Sequence, residues 1–570
     1  MDADPAGSAP AALLGEPERD GFVRNAAQGE SYSSLSLPEM FFANAAVNPA
    51  AVLADFLGRR FSYGQIAAEA RALAAGLQAH GIGKGDRVGL FLPNVPLYLS
   101  AYYGTLLTGA SVVNYPPMWD AAQVARALAE TAPKLVISID VVDLLEIMKA
   151  ARSEVPFPTL VVGRLASMLP PFKSLLLRLL RGAGRIDDEG MVPLAGFVGQ
   201  TDPDPVTIDP LTDVAVIQYS SGTTRTPRAV RLSHQNLTAN ARQLQEIDPW
   251  RGAHGTTIGV LPLATTIGNA AVLNRTVLDG GCIALLPRFA PREVLRTIRR
   301  TRATSMPGIP PMFQALLDAP ALAKADLSSL RACISGGAPL SVPLKRRFEE
   351  ASGATIVEGY GLVEAGGVVT VNPLDAPQRA DSAGKALPGT RLTLLDPADP
   401  SRPAQPGEAG ELAIAGPQVM LGYWNDPGGQ AAAFSGEWLR TGDYATIDGE
   451  GFLTIVDRLS DAVHSAGTTI FPSRIEHVLL THEHVREAVV IGIPDAFRGQ
   501  SPKAFVTLSG DSFETGESLR NWVNGRLPAN QRVLAVEIRT GLPRVAVGKL
   551  DRGALRLEQA ALAREFNSPG

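Results

Sequence analysis

Short apolar runs alternate with longer amphipathic segments along most of this chain. Between residues 61 and 139 this pattern predicts three helices and three strands, the helices at 63–80, 97–107 and 121–130 and the strands at 86–92, 109–114 and 134–139. Strands that alternate with helices usually pair in parallel, so the order predicts α/β sheets covered by helices on both faces. The alternation resumes from 207 to 340, and we expect the α/β region to continue there.

The pattern changes twice towards the C-terminal end. Residues 385–425 combine short strand-like runs with Pro, Gly and Asp turns, which indicates an all-β segment, and a compact α+β unit begins after Arg458. We place the boundary near 459–461. The expected organisation is an N-terminal extension at 1–35, rich in Ala, Pro and Gly and poorly ordered, a large N-terminal domain at 36–459 and a C-terminal domain at 460–570.

An amphipathic helix is predicted at residues 171–181. Its apolar residues follow helical spacing and its basic residues lie off that stripe, the two sets being Phe172, Leu175, Leu176, Leu179, Leu180 and Lys173, Arg178, Arg181. A basic amphipathic helix can lie on a membrane surface. A helix that packs on the protein's own core shows the same stripe, so both interpretations stay open.

Composition and charge limit the classes of protein. The 570 residues are 45% hydrophobic and 19% charged, and the net charge of −5 gives no reason to expect nucleic acid binding. Two cysteines, Cys282 and Cys333, are too few for a disulfide framework and fit a reducing compartment. The N-terminus lacks the pattern of a signal peptide, and no apolar run reaches about 18 residues, the length of a membrane span. We therefore expect a cytoplasmic protein.

The stretch 219–228 is the first candidate for chemistry. It reads Tyr-Ser-Ser-Gly-Thr-Thr-Arg-Thr-Pro-Arg and follows the apolar run 214–218, which predicts a buried strand. Hydroxyl groups, backbone N–H groups and two arginines in one turn can surround phosphate oxygens. An ordinary Ser/Thr/Gly surface loop is an equally good interpretation of the stretch by itself. Ser233, further on, is a plausible cap for a helix that starts at His234.

Further candidates follow along the chain. Gly336 and Gly337 end a predicted strand, where missing side chains let a flat ligand approach the backbone. The stretch 355–364 places an aromatic residue near two carboxylates. Residues 306–313 form either a pocket wall or a loop that leads into a core helix. His482 and His484 resemble metal ligands only superficially, because no third ligand lies at a useful spacing.

Taken together, these motifs resemble the adenylate-forming superfamily of acyl-CoA synthetases, peptide-synthetase adenylation domains and beetle luciferases. The resemblance spans roughly 35–559 and rests on six motifs in the family's order: 219–228, Ser335-Gly336-Gly337-Ala338-Pro339-Leu340, Gly359-Tyr360-Gly361 with Glu364, Gly410-Glu411-Leu412 through Gly422-Tyr423-Trp424, Thr441-Gly442-Asp443 with Arg458, and Pro543-Arg544 with Gly548-Lys549. A P-loop NTPase does not fit, because the loop lacks the Gly-Lys-Ser/Thr ending.

Bacterial long-chain fatty acyl-CoA ligases are the most similar subgroup. Asp457 stands before Arg458 as it does in those ligases, and the stretches 371–373 and 547–549 and the insertion at 165–182 are also similar to theirs. The resemblance implies a large N-terminal domain of two α/β sheets and a β-barrel, joined through a hinge at Ser460 to a small mobile α+β lid. It also implies ATP, Mg²⁺ and coenzyme A, with a fatty or other carboxylic acid as substrate.

The resemblance assigns roles to individual residues. The catalytic set would be Lys549, Thr223 and Arg228, with Lys549 bridging the acid's carboxylate and the α-phosphate. Glu364 would hold Mg²⁺. The nucleotide would be bound by Ser220, Ser221, Gly222, Thr224, Gly336, Gly337, Ala338, Glu358, Tyr360, Gly361, Asp443, Ile455 and Arg458. The acid would be bound by Ala264, Thr265, Gly308 and Val363.

The chain departs from the family pattern around the phosphates. The family's Gly, Lys and Gly in the loop are Arg225, Arg228 and Ala229 here, its aromatic–His pair is Ala264-Thr265, its Thr before Glu364 is Val363, and a Glu of the lid is Arg474. Two hypotheses follow. One is an active ligase with an altered acid pocket, and the other is a weakened homologue that binds nucleotide or acyl groups without efficient turnover. A homodimer and peripheral contact of 171–181 with the inner face of the membrane are also expected.

Overall fold

The structure is a computed structural model. It describes residues 22–24, 31–33, 35–156, 159–181, 190–220, 227–252, 254–466, 468–510, 512–544 and 550–567, and only the backbone of residues 22–24, 31–33, 178–181 and 563–567. Most of the predicted extension at 1–35 lies outside these residues, although a two-stranded sheet, Phe22–Arg24 with Ser31–Ser33, falls within it.

The first large sheet has eight strands. In spatial order they are Gly422–Tyr423, Ala229–Ser233, Val214–Tyr219, Ser111–Asn114, Arg87–Leu90, Leu135–Ile139, Thr159–Gly163 and Met191–Pro193. The strands from Val214–Tyr219 to Met191–Pro193 pair in parallel, as the alternation with helices predicts. The helices of this region are Tyr63–Ala79, Pro96–Leu107, Ala121–Thr131, Val142–Glu154, Leu165–Met168, Pro171–Arg181 and Leu194–Phe197.

The second sheet has nine strands. In spatial order they are Lys385–Ala386, Gly367–Val371, Thr355–Leu362, Ala332–Gly336, Ser305–Gly308, Thr256–Gly259, Cys282–Leu285, Val52–Phe56 and Arg59–Ser62. Its helical segments are Leu37–Val47, His234–Glu246, the π-helix Gly268–Asn274 running into Arg275–Leu278, Pro291–Thr301, Pro310–Leu317, Pro320–Lys324, Val342–Ser352 and Val363–Ala365. The stretch 306–313 belongs to a strand and a helix, and Phe313 is fully buried in the core, which favours the core-helix interpretation.

Two smaller sheets complete the fold. The third sheet is antiparallel and has five strands, Arg391–Leu395, Gly410–Ala415, Phe434–Ser435, Trp438–Ile447 and Leu453–Arg458, with the helix Pro427–Ala433 beside it. The C-terminal sheet contains Val463–Ser465, Thr468–Ile470, Val485–Asp495, Gly499–Leu508 and Ala535–Ile538. Its helical segments are Pro472–Leu480, Gly516–Asn524, Ala529–Gln531 and Arg552–Asn567, and a short 3₁₀ turn, Leu459–Asp461, precedes it.

The hydrophobic cores follow the same division. One large cluster joins the first sheet to the strand Val52–Phe56 and the helices around it, and a second fills the space beneath Pro310–Leu317 and Val342–Ser352. The C-terminal sheet has its own cluster around Val463, Ile475 and Val490. The domain boundaries at 35/36 and 459/460 stay predictions, and the 3₁₀ turn marks where the second of them would fall.

Ser233 caps a helix as its sequence position predicts. Its Oγ accepts a hydrogen bond from the N–H of Asn236, whose side chain accepts one in return from the N–H of Ser233. Such a reciprocal pair satisfies two backbone donors that a helix start leaves without partners. The cap fixes where the chain turns from the strand Ala229–Ser233 into the helix His234–Glu246, directly after the stretch 219–228.

The helix Pro171–Arg181 exposes much of its apolar side. Phe172, Leu175 and Leu176 are 76%, 57% and 45% exposed, and Leu177 packs against the large core. The interpretation as a helix buried on the protein's own core therefore does not hold for the first three. Among the described helices, none is long and apolar enough to cross a membrane.

Candidate active site

The two ends of the stretch 219–228, which we call the phosphate loop, meet at the carboxyl end of the strand Val214–Tyr219. We call this meeting point the neck. The N–H of Ser220 donates to the carbonyl of Arg228 at 2.9 Å, and the N–H of Arg228 donates to Oγ of Ser220 at 3.0 Å. This pair of bonds closes the neck. Ser221, Gly222, Thr223 and Thr224 lie outside the described residues, so their phosphate-binding role stays a prediction.

A chain of polar contacts connects Arg228 with Glu364. The Arg228 guanidinium lies 3.0 Å from the Asp426 carboxylate and stacks over the Tyr423 ring, 4.2 Å from its centroid. The Tyr423 hydroxyl donates to Oε1 of Glu364 at 3.0 Å. Two predicted site residues thus meet through Tyr423, to which the sequence had assigned no role.

Glu364 is suited to hold a magnesium ion that also contacts phosphates. Burial raises the pKa of its carboxyl, and the Tyr423 hydroxyl and the nearby Arg458 and Arg228 act in the opposite direction. The described residues contain no group of three or more metal-binding side chains. Mg²⁺ is usually held by one or two carboxylates together with substrate phosphates and water, so a single carboxylate fits.

Three predicted nucleotide residues come together at the third sheet. Asp443 and Arg458 are cross-strand partners, and Nε of Arg458 lies 3.1 Å from Oδ1 of Asp443. The Tyr360 hydroxyl donates to Oδ2 of the same carboxylate at 2.6 Å. Burial, then the neighbouring Asp443, raises the pKa of Tyr360, so the phenol stays protonated. The Asp443 carboxylate is therefore held from two sides, by the guanidinium of Arg458 and by the phenol of Tyr360.

Gly336 ends the strand Ala332–Gly336, and Gly337 and Ala338 follow it. Gly337 has a φ of +79°, which favours glycine, whereas a Cβ at Gly336 would meet only the end of the Ile267 side chain, 2.9 Å from its Cδ1. Gly337 and Ala338 are exposed. The chain after Ala332–Gly336 therefore presents bare backbone at the sheet edge, as the adenine-binding prediction requires.

Glu358 lies under this loop. Its Oε2 accepts a hydrogen bond from the N–H of Leu340 at 2.8 Å, which anchors the far end of the loop. Burial raises the pKa of Glu358 to about 7, and Asp381 adds to the effect. Glu358 is thus close to half protonated at neutral pH, and it supports the loop from the sheet.

Tight packing explains two further glycines among the predicted residues. A Cβ at Gly361 would lie 2.0 Å from the carbonyl oxygen of Gly367, and a Cβ at Gly308 would lie 2.9 Å from the Phe313 ring. Gly361 therefore has a structural reason to be glycine apart from any ligand.

Ile455, another residue assigned to the nucleotide, is half-buried and packs against the large core.

Two of the residues that the resemblance assigns to the acid, Ala264 and Thr265, lie in the segment 259–265, which we call the acyl segment. Ala264 is fully buried, and the Thr265 hydroxyl donates to the carbonyl of Pro262 at 2.7 Å. Val363 begins the turn Val363–Ala365 and is half-buried against the core. The Thr265 proton is thus engaged with the segment's own backbone.

Contacts across the predicted hinge involve Asp457, the residue that marks the subgroup. Oδ2 of Asp457 accepts a hydrogen bond at 2.8 Å from the N–H of Ser473, in the first turn of the helix Pro472–Leu480. The rings of Tyr444 and Phe471 stack with centroids 4.6 Å apart. Ser460 lies between these two sides, in the turn Leu459–Asp461. Lys549 lies outside the described residues, so its position stays a prediction.

Sequence reasoning missed several residues of this site. Tyr423 belongs to the motif Gly422-Tyr423-Trp424, on which the resemblance partly rests, so its place in the sequence could have identified it as a site residue. Asp426 has no such signal, because its partner Arg228 lies 198 residues away. The hydrogen bond between Asp457 and the first turn of the helix Pro472–Leu480 could not be predicted from the sequence either, although Asp457 itself was noted there.

The chain is similar to known proteins over most of its length. A model described as AMP-binding enzyme matches residues 41–424, and one described as AMP-binding enzyme C-terminal domain matches 474–549. A long-chain-fatty-acid–CoA ligase of Bacillus subtilis (strain 168) is 35% identical over 514 residues, covering 89% of this chain and 91% of that protein. A feruloyl-CoA synthase of Amycolatopsis sp is 32% identical, with 90% and 96% covered.

Solved structures show the same fold. The ATP-bound crystal structure of MatB from Rhodopseudomonas palustris matches with a TM-score of 0.79, covering 93% of this chain and all of the other. At 24% sequence identity this likeness concerns the fold alone. The predicted fold class, a large α/β domain followed by a small α+β domain, is confirmed.

The raised pKa of Glu358 makes stability depend on pH in a defined direction. The folded protein favours the neutral carboxyl, so its stabilising effect is complete below the unfolded pKa and is lost as the pH rises through about 7. Relative to Glu358→Gln, the free energy of unfolding should fall by about 2–3 kcal/mol between about pH 5 and pH 8. Urea unfolding of both proteins across this range measures it, and parallel pH curves would contradict it.

Proposed function

The chain belongs to the family of AMP-binding enzymes, and on that premise we propose that it activates a fatty acid with ATP and passes the acyl group to coenzyme A. The enzyme is an AMP-forming acyl-CoA ligase, and its cofactors are ATP, Mg²⁺ and coenzyme A. The identity of the substrate as a fatty acid is the part of this function that we propose. It is supported by the relative of Bacillus subtilis at 35% identity, whereas the feruloyl-CoA synthase keeps an aromatic acid as the competing substrate.

One observation carries the proposed chemistry: groups that suit each part of ATP converge from three sheets. Asp443 and Arg458 come from the third sheet, Tyr360 from the second, and Arg228 from the first. Tyr360 and the glycine loop offer a surface for adenine, and Asp443 offers acceptors for the ribose hydroxyls. Arg228 and Glu364, which meet through Tyr423, are proposed to bind the phosphates and their Mg²⁺.

The proposed reaction has two half-reactions. In the first, the acid's carboxylate oxygen attacks the α-phosphorus, the bond to the β-phosphate oxygen breaks, and pyrophosphate leaves. Thr223, Arg228 and Lys549 are proposed to neutralise the charge that develops, which is most of what phosphoryl transfer requires of a protein. In the second, the lid turns about Ser460, and the thiol of coenzyme A attacks the acyl carbon while AMP leaves.

The ion pair between Arg228 and Asp426 does not oppose this role. The two side chains are 35% and 42% exposed, and pairs of this kind are worth about 0–1 kcal/mol. Phosphate can therefore compete for the guanidinium, which binds such oxygens bidentately. The hypothesis of a weakened homologue consequently gains no support from this pair.

Acid-dependent ATP–pyrophosphate exchange tests the proposal. With a panel of fatty and aryl acids, we expect exchange above background for fatty acids of one chain-length range, and the highest kcat/KM within that range. Exchange with aryl acids alone would contradict the fatty acid assignment. A complete lack of exchange with every acid would contradict the ligase and favour the weakened homologue.

Lys549→Ala serves as the internal variant in the same assay. The loss of a cation that bridges carboxylate and α-phosphate should abolish exchange while ATP binding, followed by calorimetry, stays within a few-fold. Lys324→Ala, on an exposed 3₁₀ turn of the large domain, is the control and should behave like the unmodified enzyme. Exchange that survives Lys549→Ala would remove this lysine from the catalytic set.

We also propose that the helix Pro171–Arg181 contacts a membrane that contains anionic lipid. Phe172, Leu175 and Leu176 are exposed, and Lys173 lies among them with its Nζ donating to the carbonyl of Leu57 at 3.0 Å. Arg59 borders the same region, with NH1 3.3 Å from the carbonyl of Leu169. Exposed apolar residues with adjacent cations suit a negatively charged lipid surface. The homodimer stays a prediction of the sequence.

Co-sedimentation with vesicles tests this contact. We expect binding to phosphatidylglycerol-containing vesicles and weak binding to pure phosphatidylcholine vesicles. Replacement of Lys173, Arg178 and Arg181 by Glu should abolish the anionic preference, because it reverses three positive charges of this helix. The same reversal at the exposed lid residues Arg486, Arg498 and Arg532 is the matched control. Equal losses in both triple variants, or none in either, would contradict a specific contact through this helix.

A further inference from the structure

The acyl segment, residues 259–265, has little secondary structure to hold it. It leaves the strand Thr256–Gly259 at its first residue, and the π-helix Gly268–Asn274 begins only after it. It is nevertheless almost entirely buried, with Leu263 and Ala264 fully shielded from solvent. A buried backbone must find hydrogen-bond partners somewhere, and here side chains provide them.

Asn94, from the region of the first sheet, provides three of these bonds. Its Nδ2 donates to the carbonyls of Gly259 and Leu261, both at 2.9 Å, and its Oδ1 accepts from the N–H of Leu263 at 2.8 Å. Both amide protons and the amide oxygen are thus used on alternate residues of one segment. Asn94 is itself buried, so these bonds are shielded from competition with water.

A second set of bonds reaches the segment from the strand that precedes the phosphate loop. Nε2 of Gln218 donates to the carbonyl of Ala264 at 2.5 Å, and Oε1 of Gln218 accepts from Nδ2 of Asn114 at 3.0 Å. The Tyr98 hydroxyl lies 2.8 Å from Oδ1 of Asn114 and 3.0 Å from the carbonyl of Leu263. Consecutive carbonyls of the acyl segment are therefore held by connected groups.

The position of Gln218 connects the acyl segment with the phosphate loop. Gln218 lies in the strand Val214–Tyr219, two residues before Ser220, which closes the neck of the phosphate loop. Asn114 ends the neighbouring parallel strand, Ser111–Asn114. The buried amides thus connect two strands of the first sheet with the irregular acyl segment, which follows a strand of the second.

We propose that Gln218 and Asn94 are positioning residues, which set the distance between the acid's carboxylate and the phosphates through the backbone of the acyl segment. This inference rests on the proposed function, because it assigns the segment to the acid. Neither side chain needs to touch substrate. Displacement of a reacting group by about 1 Å can cost on the order of 100-fold in rate, so loss of one such bond should be visible in turnover.

Gln218→Met tests the inference, because methionine has a similar volume and cannot donate to the Ala264 carbonyl. We expect kcat for acid-dependent exchange to fall on the order of 10–100-fold, and KM for ATP to change less than three-fold or so. Hydrogen exchange without substrates should show faster exchange at amides near 260–266 than in the unmodified enzyme.

Gln243→Met is the matched control. Gln243 is as deeply buried, and its Nε2 donates to the carbonyl of Pro388 at 2.9 Å, away from the acyl segment. We expect a comparable loss of thermal stability with kcat preserved within about three-fold. Equal losses of kcat in the two variants would mean that general destabilisation is the cause, and the inference would be wrong.

Gln218→Glu provides a rescue that depends on pH. A protonated carboxyl has the shape of the amide and can donate to the Ala264 carbonyl, whereas a carboxylate cannot. Activity relative to the unmodified enzyme should therefore be highest at low pH and fall as the pH rises, and a flat ratio would contradict positioning by this bond.

The outcomes also separate this inference from the proposed function. An unmodified enzyme inactive with every acid would contradict the proposed function and remove the basis of the inference. Active enzyme whose Gln218→Met variant shows faster local hydrogen exchange with unchanged kcat would contradict the inference alone.

Discussion

Buried hydrogen bonds between the two α/β sheets are the constraint on which the candidate site depends. Asn94 and Gln218 donate across this boundary to backbone carbonyls of the acyl segment, and two of these, Leu261 and Ala264, lie beyond the end of the strand Thr256–Gly259. Inside a protein such bonds are strong, and a missing partner is costly, so the two sheets are confined to a narrow range of relative positions. The candidate site lies where this boundary reaches the carboxyl ends of the strands.

The third sheet contributes a pair of charged residues, Asp443 and Arg458, to the candidate site. Asp443 accepts from Tyr360 of the second sheet while its own cross-strand partner, Arg458, neutralises it. Asp457, the residue before Arg458 in the same strand, accepts a hydrogen bond from the N–H of Ser473 in the first turn of a helix of the C-terminal domain. One short strand, Leu453–Arg458, therefore connects Asp443 with the C-terminal domain, and the proposed rotation about Ser460 would have to break the bond between Asp457 and Ser473 or move it.

The sequence predicted the periodic parts of this structure well. The arrangement of apolar residues predicts strands such as Val214–Tyr219 and helices such as Tyr63–Ala79. The position of Ser233 before a helix predicts its role as a cap. Asn94, Asn114 and Gln218 could not be predicted, because a polar residue near an apolar run has no defined partner until distant segments meet. The helix Pro171–Arg181 was ambiguous for a related reason, since an apolar stripe does not say what covers it. The site assignments outside the described residues, Lys549 among them, stay predictions.

A mixed anhydride between acid and AMP is the central intermediate, and an isotope label tests it most directly. The enzyme would be supplied with ATP, coenzyme A and a fatty acid whose carboxyl oxygens are oxygen-18. Because the carboxylate oxygen stays bonded to phosphorus when the thiol attacks the acyl carbon, we expect AMP that carries one labelled oxygen. Unlabelled AMP, or ADP as the product, would contradict an acyl-adenylate.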